Sequence, residues 1–281
     1  MPENILETKN ISYSYPDGTK ALDGVSVRIK KGSKVAVLGS NGAGKSTLFL
    51  NLNGVLKPTG GKVYFNGREV DYKRASLTEL RKNVGIVFQD PDVQLFSSSV
   101  YQEVSFGPMN LRLPEHIVRE RVECSLEELG ISHLKERPTH FLSYGQKKKV
   151  SIADIIAMEP EVIIFDEPTA CLDPRNSQQL VRLFDKLNRS GKTVILSTHN
   201  VDMAYSWADH VIVMKEGKVE REGMPKDVFR DTDLLESADL IKPFVLEIYD
   251  ELKKTGALGD VDAIPASREE LIGMIRSISF K

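Results

Sequence analysis

An α/β core with an antiparallel β subdomain, an inserted helical subdomain and a small C-terminal helical extension is the fold that these 281 residues predict. Three observations point to it. Lys34–Leu38, Val84–Phe88, Val162–Phe165 and Thr193–Leu196 are short, nearly continuous apolar runs, the mark of strands buried in a parallel sheet. A glycine-rich stretch, residues 39–47, stands between the first of these strands and a helix start at Thr47–Leu52. After residue 90 the apolar spacing becomes helical, and the strand pattern returns near residue 161. The core is therefore expected over residues 1–90 and 159–230, the helical subdomain over 91–158 and the extension over 231–281.

Composition narrows the function classes. Hydrophobic residues at 41% and charged residues at 28% give an ordinary globular balance. Lys and Arg total 38 against 40 Asp and Glu, a net charge of −2, which argues against a chain that coats nucleic acid. Cys124 and Cys171 form neither a disulfide framework nor a metal pattern, which fits a reducing cytoplasm. The start, Met1-Pro2-Glu3-Asn4-Ile5, is acidic where a signal peptide needs basic and apolar residues. No apolar run approaches the roughly 20 residues of a membrane span, so any work at a membrane is expected from the side.

The stretch Gly39-Ser40-Asn41-Gly42-Ala43-Gly44-Lys45-Ser46-Thr47 fits G-x-x-x-x-G-K-[ST], the phosphate-binding P-loop, in the strand–loop–helix context that gives the motif its meaning. Gly39, Gly42 and Gly44 let the backbone curl into a nest of N–H donors, because they lack the Cβ that disfavours positive φ. The helix N-terminus adds a partial positive charge behind the phosphates. Lys45 is expected to reach the β- and γ-phosphates of a nucleotide, and the Ser46 hydroxyl to ligate Mg²⁺.

Before the P-loop, Ile5–Ser14 reads as extended, Pro16-Asp17-Gly18 as a turn and Val25–Ile29 as an alternating strand. Tyr15 is an aromatic that could stack on a base or simply pack in a strand. After the P-loop helix, Lys62–Phe65 is a strand followed by Asn66-Gly67, a strong tight-turn signal, and Ser76–Lys82 a short helix. Gln89-Asp90-Pro91 ends the next buried strand, where α/β folds place ligand-handling groups.

In the helical block, Pro114 opens a helix that ends near Gly130 with Val118, Val122, Leu126 and Leu129 on one face, and a second helix runs from Ser143 to Met158. The core returns with Val162–Phe165, which delivers Asp166 and Glu167. Paired with a P-loop, such carboxylates are expected to hold Mg²⁺ through water (Asp166) and to polarise the attacking water or take its proton (Glu167). A helix around 176–190 and the strand Thr193–Leu196 follow, and that strand delivers His199, which could reach a γ-phosphate. Val211–Met214 and Lys218–Glu220 form a hairpin about Glu216-Gly217. Beyond Met224 the chain is helical and acidic. Ser267-Arg268-Glu269-Glu270 fits a capping box, and Leu271, Ile275 and Ile278 mark the apolar face of a last helix, suited to packing or a dimer contact.

Leu142-Ser143-Tyr144-Gly145-Gln146-Lys147-Lys148-Lys149 resembles the signature motif of ABC-type ATPases, usually written L-S-G-G-Q. Taken with it, the other motifs stand in that family's order over residues 3–230: Tyr15 as the aromatic that stacks on adenine, residues 39–47 as Walker A, Gln89 as the Q-loop, Asp166 and Glu167 as Walker B and catalytic acid, Ala170-Cys171-Leu172-Asp173 as the D-loop, and His199 as the switch histidine. Val87–Phe96, Glu103–Pro108, Tyr13–Thr19 and Ala157-Met158-Glu159-Pro160 further resemble the cobalt/nickel and energy-coupling-factor branch of importers.

The resemblance implies an ATPase that uses ATP and Mg²⁺, with Glu167, His199, Gln89 and Lys45 in turnover and Ser46, Gln89 and Asp166 about the metal. It implies a second ATPase subunit, identical or a paralogue, closing head to tail, with Ser143 and the Gly145 backbone of one subunit on the γ-phosphate held by the other. Gln146 and Asp173 complete the nucleotide-binding set. A membrane coupling subunit would sit in the groove around Gln89, and a substrate-specific membrane subunit would choose the cargo, cobalt or nickel, or alternatively a vitamin. A soluble ABC-type ATPase of DNA repair, chromosome organisation or translation is the rival reading. It meets neither sustained heptads nor a second set of motifs here. A GTPase would need an N-K-x-D signature that is missing. The chain departs from the family pattern at Tyr144, Lys149, Cys171, Asn200 and Asp154. Of these, Tyr144 must point away from the nucleotide if the pair is to close.

Overall fold

A computed structural model describes residues 3–258 and 263–277. Met1 and Pro2 of the N-terminal reading, and Ile278 of the last apolar stripe, lie outside the described residues. In chain order the elements are β1 (Asn4–Ser14), β2 (Lys20–Val25), β3 (Arg28–Lys30), β4 (Lys34–Leu38), α1 (Lys45–Leu52), β5 (Gly60–Phe65), β6 (Arg68–Glu69), α2 (Arg74–Asn83) and β7 (Val84–Val87). Then come α3 (Val100–Asn110), α4 (Glu115–Glu128), α5 (Tyr144–Ala157), β8 (Val162–Phe165), α6 (Pro174–Arg189), β9 (Thr193–Ser197), α7 (Val201–Trp207), β10 (His210–Lys215) and β11 (Lys218–Gly223). The chain ends with α8 (Pro225–Val228), α9 (Thr232–Ser237), α10 (Phe244–Lys254) and α11 (Arg268–Ser277).

Two sheets result. One is antiparallel, ordered β2-β1-β5-β6, with β3 also paired to β1. The other is ordered β11-β10-β4-β9-β8-β7, parallel from β10 to β7, with β11 antiparallel at its edge. Alternate residues of the parallel strands face opposite ways and both sides are buried. Ala36, Leu38, Ile163, Phe165, Val194 and Leu196 pack with the helices α3 to α7. Val35, Val37, Ile164 and Ile195 pack with α1 and the antiparallel sheet. A strand buried on both faces cannot alternate with polar residues, which is why these runs read as continuous.

The structure corrects several expectations. Val25–Ile29 is not one strand. It is the end of β2 and the start of β3, broken where Thr8 inserts its hydroxyl to donate to the Val25 carbonyl (3.1 Å) and accept from the Val27 N–H (3.0 Å). The helix α3 is an element the sequence reading passed over, because Gly107 and Pro108 interrupt its period. A Cβ on Gly107 would stand 2.6 Å from Met158 Cγ, so close packing on the end of α5 fixes that glycine. Asn66-Gly67 and Glu216-Gly217 form tight turns with positive φ at both residues. The cap of α11 forms as read in part: the Glu270 N–H donates to Ser267 Oγ (3.2 Å), but the Glu270 carboxylate accepts from Ala266 N–H (2.7 Å).

Candidate nucleotide site

Four neighbouring parallel strands deliver four motifs to one edge of the sheet. β4 runs into Gly39, β7 into Gln89, β8 into Asp166 and Glu167, and β9 into His199. The crevice beyond the carboxyl ends of parallel strands is where open α/β sheets bind ligands. A cleft of about 550 Å³ lies there, lined by Tyr15, Lys45, Ser46, Gln89, Asp166 and His199 among others.

Backbone geometry builds its floor. Gly39, Gly42 and Gly44 have φ of 144°, 83° and 99°. A Cβ at Gly39 would lie 2.1 Å from the Met214 carbonyl oxygen, and one at Gly44 2.6 Å from that of Ala21. Only glycine fits these two positions, so the loop curls tightly against the β10 end and the β2 start. Lys45 is buried, and its ammonium donates to the carbonyls of Gly39 (2.7 Å) and Ser40 (3.2 Å). Burial pulls its pKa down, and the nearby charges of Glu167 and Asp166 oppose that. Tyr15 shares a hydrogen bond between its hydroxyl and Thr47 Oγ1 (3.0 Å), and its ring meets Tyr13 edge to face.

Ser197, a residue the sequence reading did not single out, organises the carboxylates. Its hydroxyl donates to Asp166 Oδ1 (2.6 Å) and accepts from the Glu167 N–H (2.8 Å). The signal lay in strand adjacency, since β8 and β9 are paired and end together. Glu167 is buried and takes φ of 43°, strained for a residue with a side chain. Its Oε1 lies 3.0 Å from His199 Nε2 and 4.0 Å from Lys45 Nζ, without an aligned hydrogen-bond donor. Burial raises the Glu167 pKa, and His199 and Lys45 counter the rise. An orphaned buried acceptor beside a phosphate cradle suits a water about to lose a proton.

The donor set also suits Mg²⁺. Among the described residues no three His, Cys, Asp or Glu cluster as a metal cage. Ser46, Gln89 and Asp166 line the same cleft. Mg²⁺ keeps several waters and takes one or two protein carboxylates plus substrate phosphates, so an incomplete protein shell is what such a site needs.

Four expected nucleotide ligands are elsewhere. Ser143 and Gln146 close a capping box on α5, with Ser143 N–H donating to Gln146 Oε1 (3.0 Å) and Gln146 N–H to Ser143 Oγ (3.4 Å). Gly145 follows in the first turn, and Asp173 caps α6 by accepting from Asn176 N–H (2.9 Å). None of the four lines the cleft. Tyr144 turns back into its own chain and donates to the Gln89 carbonyl (3.1 Å).

Known proteins resemble this chain over most of its length. Residues 22–170 match the family model described as ABC transporter. The chain is 47% identical over 255 residues to an energy-coupling factor transporter ATP-binding protein, EcfA3, of Clostridium perfringens, covering 90% of each chain. It is 47% identical over 272 residues to the EcfA protein of Methanocaldococcus jannaschii, covering 97% of this chain and 95% of that one. Among solved structures, CbiO1 of Clostridium perfringens, described as part of the ABC transporter complex cbiONQ, superimposes with a TM-score of 0.75 at 46% identity, over 90% of this chain and 100% of that one. A dimeric ATP-binding cassette in a post-hydrolysis state bound to ADP and Pi superimposes with a TM-score of 0.72 at 30% identity, over 78% of this chain and 98% of that one.

Proposed function

Since the chain belongs to the ABC transporter family, as an ATP-hydrolysing subunit of energy-coupling-factor type, we propose that it closes head to tail with a second ATPase subunit on two ATP molecules and so drives a membrane transporter. One observation carries the reading. Ser143, Gly145, Gln146 and Asp173 lie outside the cleft of their own chain, while Ser143 at the start of α5 is exposed. The capping box uses the Ser143 and Gln146 amides, and the remaining first-turn N–H groups and the positive dipole end of the helix suit a phosphate. Facing a partner, Ser143 and Gly145 would meet the γ-phosphate that the partner cradles, and Tyr144 would not obstruct it.

In this reading Tyr15 stacks on the adenine and the amides of residues 39–47 hold the phosphates. The Lys45 ammonium exchanges the Gly39 and Ser40 carbonyls for β- and γ-phosphate oxygens. Ser46, Gln89 and Asp166 would hold Mg²⁺, which would supply positive charge against the phosphates. Glu167 takes the proton of the attacking water. His199, beside Glu167, contacts the γ-phosphate.

The working division is the one expected above: core over residues 1–90 and 159–230, helical subdomain over 91–158, extension over 231–281. Val93, Phe96, Phe106, Met109 and Phe141 are large, exposed and apolar, and Phe96 meets Phe106 edge to face at 4.8 Å. The exposed Phe96–Phe106 pair, with Val93 four residues after Gln89, suits the coupling subunit. Among the described residues no helix is long and apolar enough to cross a membrane. We place the chain at the cytoplasmic face, held by its membrane subunits. The cargo we assign is a cobalt or nickel ion, on the branch pattern of Val87–Phe96 and Glu103–Pro108. A vitamin is the second reading, favoured by the energy-coupling-factor relatives. Uptake of labelled cobalt by cells carrying the full transporter separates the two.

Ser143→Ala tests the composite site. Its ATP affinity as a single chain should equal that of the parent while turnover falls by about 10². A matching loss of ATP affinity in the single chain would put Ser143 in its own cleft and contradict the reading.

A further inference from the structure

The first two turns of α5 are fastened to the loop after β7 by three side chains. Tyr144, Lys147 and Lys148 stand at i, i+3 and i+4, hence on one face of the helix. Tyr144 donates to the Gln89 carbonyl (3.1 Å). Lys148 Nζ donates to the carbonyls of both Phe88 (2.8 Å) and Gln89 (2.9 Å). Lys147 pairs with Asp92 at 2.5 Å.

We propose that Lys148, together with Tyr144, is a positioning residue for ATP turnover: by pinning the Gln89 carbonyl toward α5 it keeps the Gln89 side chain turned into the nucleotide cleft. The proposal rests on the reading that Gln89 serves turnover. Lys148 is only 1% exposed. A buried ammonium is costly, and an apolar side chain of similar length would fill the same space without that cost. Burial pushes its pKa down to about 8, against the opposing pull of Asp166, Asp90 and Glu167. What the charge gains is two strong hydrogen bonds to successive carbonyls, and these fix the peptide that carries Gln89. Gln89 itself is exposed and lines the cleft, so little else holds its side chain.

The test uses the full chain with Lys148→Met and Tyr144→Phe, each alone and each combined with Gln89→Ala, reading kcat, KM for Mg-ATP and nucleotide Kd. Lys148→Met should lower kcat roughly tenfold or more, the usual loss when a support for a ligating residue is removed, with Kd within about twofold of the parent. Tyr144→Phe, which keeps the ring and removes one hydroxyl, should lower kcat several-fold and serves if the lysine variant does not fold. In the Gln89→Ala background neither change should lower kcat further, because residues acting through one group are not additive. Unchanged kcat in the folded single variants, or a loss that multiplies with that of Gln89→Ala, overturns the proposal. Full kcat in Gln89→Ala alone overturns the underlying reading of Gln89, and the proposal with it.

Discussion

Oε1 of Glu167 stands 3.0 Å from Nε2 of His199. The contact is close but unaligned, so the oxygen is held in a buried site with an acceptor to spare. Glu167→Gln keeps the shape and removes the basicity. Turnover should fall by about 10²–10⁴, the usual worth of a positioned general base, with ATP binding retained. Steady-state hydrolysis beside nucleotide titration checks it, and normal turnover would remove Glu167 from this role.

Lys45 already spends its donors on the Gly39 and Ser40 carbonyls, so its ammonium sits where phosphate oxygens would arrive. Lys45→Ala should abolish measurable ATP binding in a titration with labelled nucleotide. An affinity equal to that of the parent would count against the cradle.

Acid should slow the enzyme earlier than an ordinary carboxylate would allow. Burial raises the Glu167 pKa above its usual 4.5. The base is active only when ionised, so kcat should drop as pH falls through that raised value. A profile of kcat against falling pH should show an acid limb that lies above that of an ordinary carboxylate, and Glu167→Gln should lack it. An acid limb that is the same in the parent and in Glu167→Gln contradicts the assignment.

Asp154 yields a stability prediction. It accepts from Gln94 Nε2 (3.1 Å), and burial pushes its pKa up to about 7 from an ordinary 3.8. Between those values the folded chain binds a proton that the unfolded chain has released, so stability declines as pH rises through the window. Asp154→Asn removes the penalty and keeps the shape. At about pH 8 the variant should be more stable by on the order of 2 kcal/mol, below the roughly 4 of a full shift because the site is not wholly dry. Urea unfolding near pH 5 and pH 8 should show the difference growing with pH, and a difference that does not grow refutes it.

The P-loop, the carboxylate pair and the histidine were legible in the sequence because each follows a buried strand, and the structure gathers them in one cleft. Adjacency within the sheet was beyond the sequence, so Ser197 went unnoticed although it bonds both Asp166 and Glu167. Lys148 was hidden for another reason. A run of three lysines reads as solvated, and only the carbonyls of Phe88 and Gln89 make a buried ammonium tolerable. The same limit hid α3, whose Gly107 is dictated by Met158 rather than by local propensity. Tyr144 is the converse case. The departure was visible in the sequence, and its direction, toward the Gln89 carbonyl, came from the fold.

The head-to-tail pair is tested most directly by light scattering on Glu167→Gln after size exclusion, with and without Mg-ATP. One chain has a mass of 31.4 kDa. Pairing of two identical chains predicts that mass without nucleotide and about twice it with Mg-ATP, since binding is kept and hydrolysis no longer reopens the pair. A chain that stays unpaired under saturating Mg-ATP, alone and with a paralogous ATPase subunit and the membrane subunits co-expressed, would contradict the head-to-tail pair.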